Sequence, residues 1–273
     1  TDTAIDHPAA ITANNPSTWN LAGNGADMVI ISYKDFLGAL GSLKTFRQSQ
    51  GLSVALIDVE DLYDEFSFGI KTPQAIQDFI RRASTSWQKH PRFVLLMGDA
   101  SDDPRNYLGY GDFDLVPTKK IEMQYTESAS DDWFSDLNSS GLPGMATGRI
   151  PVRTATEAGA VIAKIINYEQ PANTGDWTKK ALVVSDISTS DFDFEGASNQ
   201  VGALLPGTIA STKIYRSAYP NDTSANAALL DGINQGALLV NYFGHGSEVS
   251  WDGDILTTSE APLFVNGLMA PFF

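Results

Sequence analysis

Residues 237–251 read ALLVNYFGHGSEVSW, and the fold of the chain can be inferred outward from this stretch. It begins with a short apolar run that includes the β-branched Val240. Such a run predicts a strand that is buried on both faces, as the strands of parallel sheets are. The polarity then changes abruptly, because Gly244 and Gly246 flank His245 directly after the run.

His245 is a candidate catalytic residue because of where this pattern places it. Open α/β sheets bind their ligands at the carboxyl ends of the strands, and imidazole exchanges protons near neutral pH. Glycine on either side lets the backbone turn sharply and lets a substrate carbonyl approach main-chain N–H groups. The alternative is a turn histidine whose ring is held by a neighbouring carboxylate such as Glu248.

The rest of the chain repeats the alternation of strand and helix, which predicts α/β units with largely parallel sheets flanked by helices. We divide it into an irregular lead-in (residues 1–25) and two α/β subdomains (residues 26–170 and 171–273). Residues 61–69 and 107–130 are expected to be connections without regular structure. The predicted strands are 27–32, 53–59, 93–97, 146–152, 180–185, 212–216 and 237–243, and the predicted helices are 35–50, 72–88, 154–168, 196–205 and 224–234.

Composition narrows the function. The 273 residues are 42% hydrophobic, enough for a substantial core, and no apolar run reaches the length of about 18 residues that a membrane-spanning helix needs. A net charge of -15 argues against binding to nucleic acid or anionic membranes. The first residues lack a basic and apolar signal pattern, so a targeting peptide is expected to be absent or removed. The chain contains no cysteine, which excludes disulfides.

One acidic stretch is a candidate metal site. Asp136, Asn138 and Ser140 occupy positions one, three and five of a calcium-loop pattern whose sixth position is Gly141. Position twelve is Thr147 and not the usual glutamate, so the prediction is a weak Ca²⁺ site, with a plain Asx-rich turn as the alternative.

Asp99 follows the strand at 93–97, and Arg149 lies in the strand at 146–152. We expect Arg149 to pair with the loop of Asp99 or that of Asp131. Asp186 directly follows the strand at 180–185, and taken alone it is a helix-capping or loop aspartate.

Residues 241–251, NYFGHGSEVSW, closely resemble the histidine motif of the gingipain family of cysteine endopeptidases, which have a caspase-like fold. Gly98-Asp99 after an apolar strand and GRIPVR at 148–153 resemble the same family, so the likeness covers about residues 27–273. It implies two side-by-side α/β subdomains and a structural role for Asp99 beneath the active site.

The resemblance also implies roles at the site. His245 would be the base and acid partner of a cysteine nucleophile, Gly246 an oxyanion donor, and Asp186 the acid that orients the imidazole. In the family a Pro-Phe stretch leads into the strand that precedes the cysteine, and this chain ends with Pro271-Phe272-Phe273. The cysteine is therefore expected about half a dozen residues beyond Phe273. The second subdomain would be incomplete at its C-terminus and the chain by itself inactive.

An acidic loop follows Asp186, and in Arg-specific gingipains an aspartate of this loop binds a basic P1 side chain. The corresponding residue here is Asp191, Asp193 or Glu195, and an acidic surface loop is the alternative. We place Trp251 on the substrate side as well, packed beneath the histidine loop.

The resemblance implies a secreted or cell-surface bacterial protease that needs no cofactor for catalysis, with structural Ca²⁺ as an option. Its partners would be a protein or peptide substrate and the remaining C-terminal segment that carries the cysteine. The rival hypothesis is a non-catalytic caspase-like module for binding or secretion, in which the nucleophile has been lost.

Overall fold

The structure, a computed structural model, describes residues 13–124, 126–170 and 174–273. The chain divides between Ala163 and Lys164 into two compact units, each built on its own parallel sheet. The predicted boundary between residues 170 and 171 lies seven residues further along the chain. Residues 171–173, like residues 1–12 of the predicted lead-in, are outside the described residues.

The first unit contains a four-stranded parallel sheet with the order β2-β1-β3-β6 and a two-stranded antiparallel hairpin, β4-β5. Helix α4 spans the division between the two units. The strands are β1 (Met28–Ser32), β2 (Val54–Asp58), β3 (Phe93–Met97), β4 (Lys119–Glu122), β5 (Glu127–Ser130) and β6 (Ala146–Ile150), and the helices are α1 (Leu37–Ser49), α2 (Val59–Ser67), α3 (Pro73–Ser86) and α4 (Ala155–Tyr168).

The core of the first unit follows from the two-residue period of its strands. Val29 and Ile31 of β1 point to one face, where they pack in one buried cluster with Ile76 and Phe79 of α3. Ile30 between them points to the opposite face and is fully buried as well. The central strand is therefore covered on both sides, and each such side chain contributes about 2 kcal/mol to stability.

Two predicted connections of the first unit contain regular structure. Residues 61–69 lie mostly in α2, which begins where the Asp58 carboxylate accepts a hydrogen bond from the Glu60 N–H (3.0 Å). Residues 107–130 include the β4-β5 hairpin. Both predictions were wrong. The stretches are rich in acidic and polar residues, so the apolar residues that mark α2 and the short strands β4 and β5 are few and stand among charged or polar ones.

The second unit contains a three-stranded parallel sheet with the order β8-β7-β9. Leu182 and Val184 of the central strand pack against Leu229 and Ile233 of the last helix. The elements are β7 (Lys180–Ser185), α5 (Phe194–Leu204), β8 (Ala210–Tyr215), α6 (Asp222–Asn234) and β9 (Leu239–Phe243).

The observed strands and helices confirm the predicted α/β class with parallel sheets and flanking helices. The strand that carries the histidine motif is parallel, as predicted, but it is not buried on both faces. Within β9 only Val240 is fully buried, and the other four residues are partly exposed. Along one edge β9 pairs with β7, and on the other edge, in the described part of the chain, Leu239 is bridged to Phe272. No helix in the described part of the chain is long and apolar enough to cross a bilayer.

Candidate active site

The side chains of Asp186 and His245 meet at the carboxyl ends of β7 and β9. The parallel register pairs Ser185 with Phe243, and the Asp186 N–H donates to the Phe243 carbonyl (2.9 Å), so the two chain segments leave the sheet side by side. Asp186 Oδ2 lies 3.3 Å from His245 Nδ1 and also accepts from the His245 backbone N–H (3.3 Å). One carboxylate oxygen therefore holds both the ring and the backbone of His245.

Glycine at position 244 is required by this packing. A Cβ atom there would lie 2.2 Å from the Tyr242 hydroxyl and 2.4 Å from the Asp186 Cβ. At Gly246 a Cβ would approach the Ser250 carbonyl to 3.0 Å. The two glycines thus let the histidine loop lie close to the strand ends.

The imidazole of His245 is open on its outer side. Its side chain is 61% exposed, and the ring of Phe194 packs against it edge to face at 5.0 Å. In the described part of the chain, Nε2 has no hydrogen-bond partner, and the ring makes no hydrogen bond to Glu248, the alternative partner. The Asp186 side of the ring is fixed and the Nε2 side is accessible.

Asp186 itself is held by a buried arginine. Its Oδ1 atom accepts from Arg216 Nη1 (2.7 Å) and from the Ile187 N–H (2.6 Å), and the aspartate side chain is only 3% exposed. Burial alone would raise the pKa of the Asp186 carboxyl. The hydrogen bonds from Arg216, Ile187 and His245 outweigh it and lower that pKa below its ordinary value, so the group is a carboxylate at neutral pH.

Arg216 also contacts two further carboxylates. Its Nε and Nη2 atoms donate to Asp222 at 2.6 and 3.0 Å, and Nη1 contacts Asp252 in the loop that follows the histidine. These hydrogen bonds, with Asp222 the largest contributor, raise the pKa of the guanidinium above its usual value. Arg216 is therefore a permanent positive charge behind Asp186.

The histidine loop rests on stacked aromatic rings. Trp251 lies flat on Tyr242, with ring centroids 4.2 Å apart and planes at 5°, and the Tyr242 hydroxyl donates to the His245 carbonyl (2.7 Å). Trp251 also lines a shallow cavity of about 270 Å³ together with Phe264 and Phe273. Its ring supports the loop from below, beside a recess that has room for a side chain.

The three acidic candidates of the loop after Asp186 have different surroundings. Asp193 caps α5, where its Oδ1 accepts from the Gly196 N–H (2.8 Å), and the Glu195 carboxylate contacts the Ser217 hydroxyl. Asp191 is exposed and accepts only from the Ser190 hydroxyl (3.2 Å) in the described part of the chain. Among the described residues, Asp191 is thus the one of the three whose carboxylate is hydrogen-bonded neither to a helix nor to a separate segment.

The candidate calcium loop adopts an Asx-type turn. Asp136 Oδ1 accepts from the Ser140 N–H (2.9 Å) and Oδ2 from the Gly141 N–H (2.8 Å). Asn138, which lies between Asp136 and Ser140 in the chain, is exposed to solvent. Among the described residues no group of three His, Cys, Asp or Glu side chains is placed to hold a metal ion. Calcium binding at Asp136, Asn138 and Ser140 stays a prediction.

In the first unit, Arg149 forms the predicted buried pair, and its partner is Asp131. Nε and Nη2 donate to the two Asp131 oxygens at 2.8 Å each, and Nη1 donates to the Gly98 carbonyl (2.8 Å). Asp99 is instead bonded to Arg153 (2.6 Å).

The end of the chain runs alongside β9. The Val240 N–H donates to the Phe272 carbonyl (2.8 Å) and the Phe272 N–H donates to the Leu238 carbonyl (3.0 Å), which is a parallel pairing. Residues after Pro271 therefore begin to extend the sheet on the side of β9 opposite to β7.

Sequence reasoning missed Arg216, Asp252 and Phe194 as residues of this site. Arg216 was included in the predicted strand 212–216, whereas β8 ends at Tyr215 and Arg216 is the first residue after it. The signal was a charged residue immediately after a strand, as at Asp186, but an error of one residue in the predicted strand boundary placed Arg216 inside the strand.

Comparison with known proteins identifies the family. Gingipain R2 of Porphyromonas gingivalis is 26% identical over 254 residues, covering 90% of this chain and 31% of that protein, and Lys-gingipain W83 of the same species is 22% identical over 245 residues, covering 88% and 13%. The crystal structure of the Arg-specific cysteine proteinase gingipain R superposes with a TM-score of 0.70 at 22% identity, covering 95% of this chain and 55% of that one.

The complex of the RgpB pro- and mature domains from P. gingivalis gives the same TM-score, 0.70, at 21% identity, covering 90% of this chain and 54% of that one. The chain spans less than a third of the two curated relatives and about half of the two solved chains. These structural matches confirm the predicted fold. Since the sequence model of peptidase family C25 matches residues 21–273, nearly the whole chain, this protein belongs to peptidase family C25, whose gingipain members are cysteine peptidases.

Proposed function

We propose that this chain forms most of the catalytic domain of a cysteine endopeptidase. In this proposal His245 is the general base and acid, Asp186 orients it, and the nucleophile is a cysteine supplied by a segment that follows Phe273 in the full-length protein. The proposal rests on one observation, the 3.3 Å contact between Asp186 Oδ2 and His245 Nδ1 at an accessible imidazole.

The geometry assigns a task to each nitrogen of the ring. With Nδ1–H facing the carboxylate, Nε2 carries the lone pair and accepts the proton of a thiol. The thiolate then attacks the scissile carbonyl, and the imidazolium returns the proton to the leaving amine. In the second half, water loses a proton to Nε2 and attacks the thioester, which releases the acid and restores the thiol.

The chain pairing beside β9 supports the position of the nucleophile. Leu239 pairs with Phe272, so a strand that continued in this register would come level with His245 about five residues after Phe273. Parallel strands end at the same edge of a sheet, where Asp186 and His245 already lie. We therefore expect the cysteine near that level of the sheet.

Gly246 is proposed as an oxyanion donor. In the described part of the chain its N–H has no hydrogen-bond acceptor, and the residue is exposed directly after His245. A free N–H group next to the base can stabilise the negative charge that develops on the carbonyl oxygen.

The substrate would be a protein or peptide, with a preference for a basic P1 side chain. Asp191, whose carboxylate accepts a single hydrogen bond from the Ser190 hydroxyl, is the acid best placed to meet an arginine or lysine, and the cavity beside Trp251 has room for an adjacent apolar side chain. The names of the relatives, Arg-specific gingipain R and Lys-gingipain, agree with such a preference. We also propose that the protein is secreted or displayed by a bacterium, which agrees with its acidic composition and with relatives from P. gingivalis.

The decisive experiment uses the full-length protein. A peptidyl acyloxymethyl ketone with arginine at P1 should label it covalently at a cysteine after residue 273, and His245→Ala should abolish the labelling. Lys213→Gln, an exposed charge of the same unit, should leave it unchanged. Labelling that persists in His245→Ala, or a gene without a cysteine in the segment after Phe273, would refute the mechanism and favour a non-catalytic module.

A further inference from the structure

Arg216 connects the three chain segments that form the site. It follows β8, its side chain is only 14% exposed, and its guanidinium meets Asp186 after β7, Asp222 at the start of α6 and Asp252 after the histidine loop. A permanent cation with these partners is a rigid element, because Asp222 holds Nε and Nη2 in a bidentate pair while Nη1 is held by Asp186 and Asp252.

We propose that Arg216 is a positioning residue that fixes the orientation of Asp186 toward His245. The inference rests on the proposed function, since it assigns to Arg216 a part in preparing the base. The observation behind it is that the two carboxylate oxygens of Asp186 have different hydrogen-bond partners.

Asp186 Oδ1 is occupied by Arg216 and the Ile187 N–H, whereas Oδ2 faces His245 alone. A carboxylate without the arginine could rotate and present either oxygen, or move away from the ring. With Oδ1 held at 2.7 Å by the guanidinium, Oδ2 stays aimed at Nδ1. The arrangement selects the tautomer with hydrogen on Nδ1, which leaves the lone pair on Nε2.

Arg216 also fixes the backbone on the other side of the imidazole. Its contact with Asp252 holds the residue whose N–H donates to the His245 carbonyl (3.0 Å). Gly253, with a φ of +69°, passes so close that a Cβ there would lie 2.5 Å from the guanidinium carbon. The histidine loop is thus anchored to the same side chain that orients Asp186.

An alternative role for Arg216 is purely local. The bidentate pair with Asp222, six residues away, would stabilise the start of α6 whether or not Asp186 is nearby. That role predicts a change in stability but no change in the protonation of His245, so the two roles can be separated.

The test is histidine NMR on the full 273-residue chain with labelled imidazoles, which is practical because the chain has only three histidines. We expect the neutral His245 ring to carry its hydrogen on Nδ1. In Arg216→Gln the Nδ1–H fraction of the neutral ring should fall. Lys213→Gln, which removes one positive charge from β8 itself, should leave that fraction unchanged.

A folded Arg216→Gln chain with an unchanged His245 tautomer would overturn the inference. If that variant does not fold, Arg216→Lys still decides, because it keeps the positive charge but not the planar guanidinium, so the Nδ1–H fraction should fall there too, and an unchanged fraction contradicts the inference. Asp186→Asn separates this test from that of the proposed function. If Asp186→Asn leaves the tautomer unchanged, Asp186 does not orient His245 and the proposed pair of Asp186 and His245, the dyad, is wrong. If Asp186→Asn changes the tautomer and Arg216→Gln does not, only the role of Arg216 is refuted.

Discussion

Asp186 Oδ2 and His245 Nδ1 lie 3.3 Å apart although the two residues are separated by 59 positions in the chain. The distance follows from the register of β7 and β9, which ends both strands at the same level. It does not depend on a long loop folding back over the site. The dyad should therefore be as rigid as the sheet beneath it.

Replacing Asp186 by asparagine should destabilise the second unit by about 3 kcal/mol at neutral pH, because it leaves the largely buried Arg216 without its most buried counter-charge, Asp186 being 3% exposed against 45% for Asp222 and 50% for Asp252. Native-state hydrogen exchange at the Val183 amide of β7 measures this free energy. Asp191→Asn, an exposed aspartate of the neighbouring loop, is the matched control and should cost less than about 0.5 kcal/mol.

The same variant should change the response to acid. The folded-state pKa of Asp186 is lowered, so its stabilising contribution is fully present above the unfolded-state value of about 4 and disappears as the pH falls through the folded-state pKa. The stability difference between Asp186→Asn and the unsubstituted chain should therefore shrink below about pH 4. A difference that is constant from pH 7 to pH 3 would show that the charge of Asp186 is not the cause.

Adding a methyl group at Gly244 should separate the dyad without removing either member. In Gly244→Ala the Cβ would overlap both the Tyr242 hydroxyl and the Asp186 Cβ, so the histidine loop must move outward. We expect the Nδ1–H preference of His245 to be lost. Under the proposed mechanism the peptidase activity of the full-length protein should fall at least about 100-fold, because a displacement of about 1 Å in a catalytic group can have that effect. Gly207→Ala, where a Cβ meets nothing within 4 Å, should behave like the unsubstituted protein in both assays.

The parts of the fold that could be predicted from sequence are the elements whose sequence pattern is local, such as an apolar run that ends at a polar residue. The strands ending before Asp186 and Gly244 are such cases, since each apolar run stops at a change of polarity. The starts of α5 and α6 were displaced by two residues, because their caps, Asp193 and Asn221, are followed by residues that look like loop. Arg216 could not be assigned a partner, because its three acids come from three different segments that only the folded sheet brings together.

Removing the Tyr242 hydroxyl tests how firmly the histidine loop is held. Burial, with the nearby negative charge of Asp186, raises the pKa of Tyr242 to about 12, so the hydroxyl remains a donor to the His245 carbonyl across the working pH range. Tyr242→Phe should cost about 1 kcal/mol, because the carbonyl keeps its second donor, the Asp252 N–H. Faster hydrogen exchange at the Asp252 amide would report the loosened loop. Tyr219→Phe, whose hydroxyl has no partner among the described residues, serves as the control.

Arg149 provides the corresponding test in the first unit. Its guanidinium, with the side chain only 10% exposed, satisfies both oxygens of Asp131 and the carbonyls of Gly98 and Val116. The single ammonium of lysine cannot reproduce this planar set, so Arg149→Lys should destabilise the unit by about 3 kcal/mol although the charge is kept.

The matched control is Arg153→Lys, four residues further along. Arg153 is half exposed and pairs with Asp99 through Nε, a geometry that a lysine can replace at a cost of less than about 1 kcal/mol. Hydrogen exchange at the Leu96 amide of β3 follows the first unit separately from the second. Equal losses of stability in the two variants would mean that the planar guanidinium of Arg149 contributes no more to the free energy of unfolding than an exposed ion pair does. A large effect of Arg149→Lys alone would show that the guanidinium fixes the loops of Gly98 and Asp131 at the carboxyl end of this sheet.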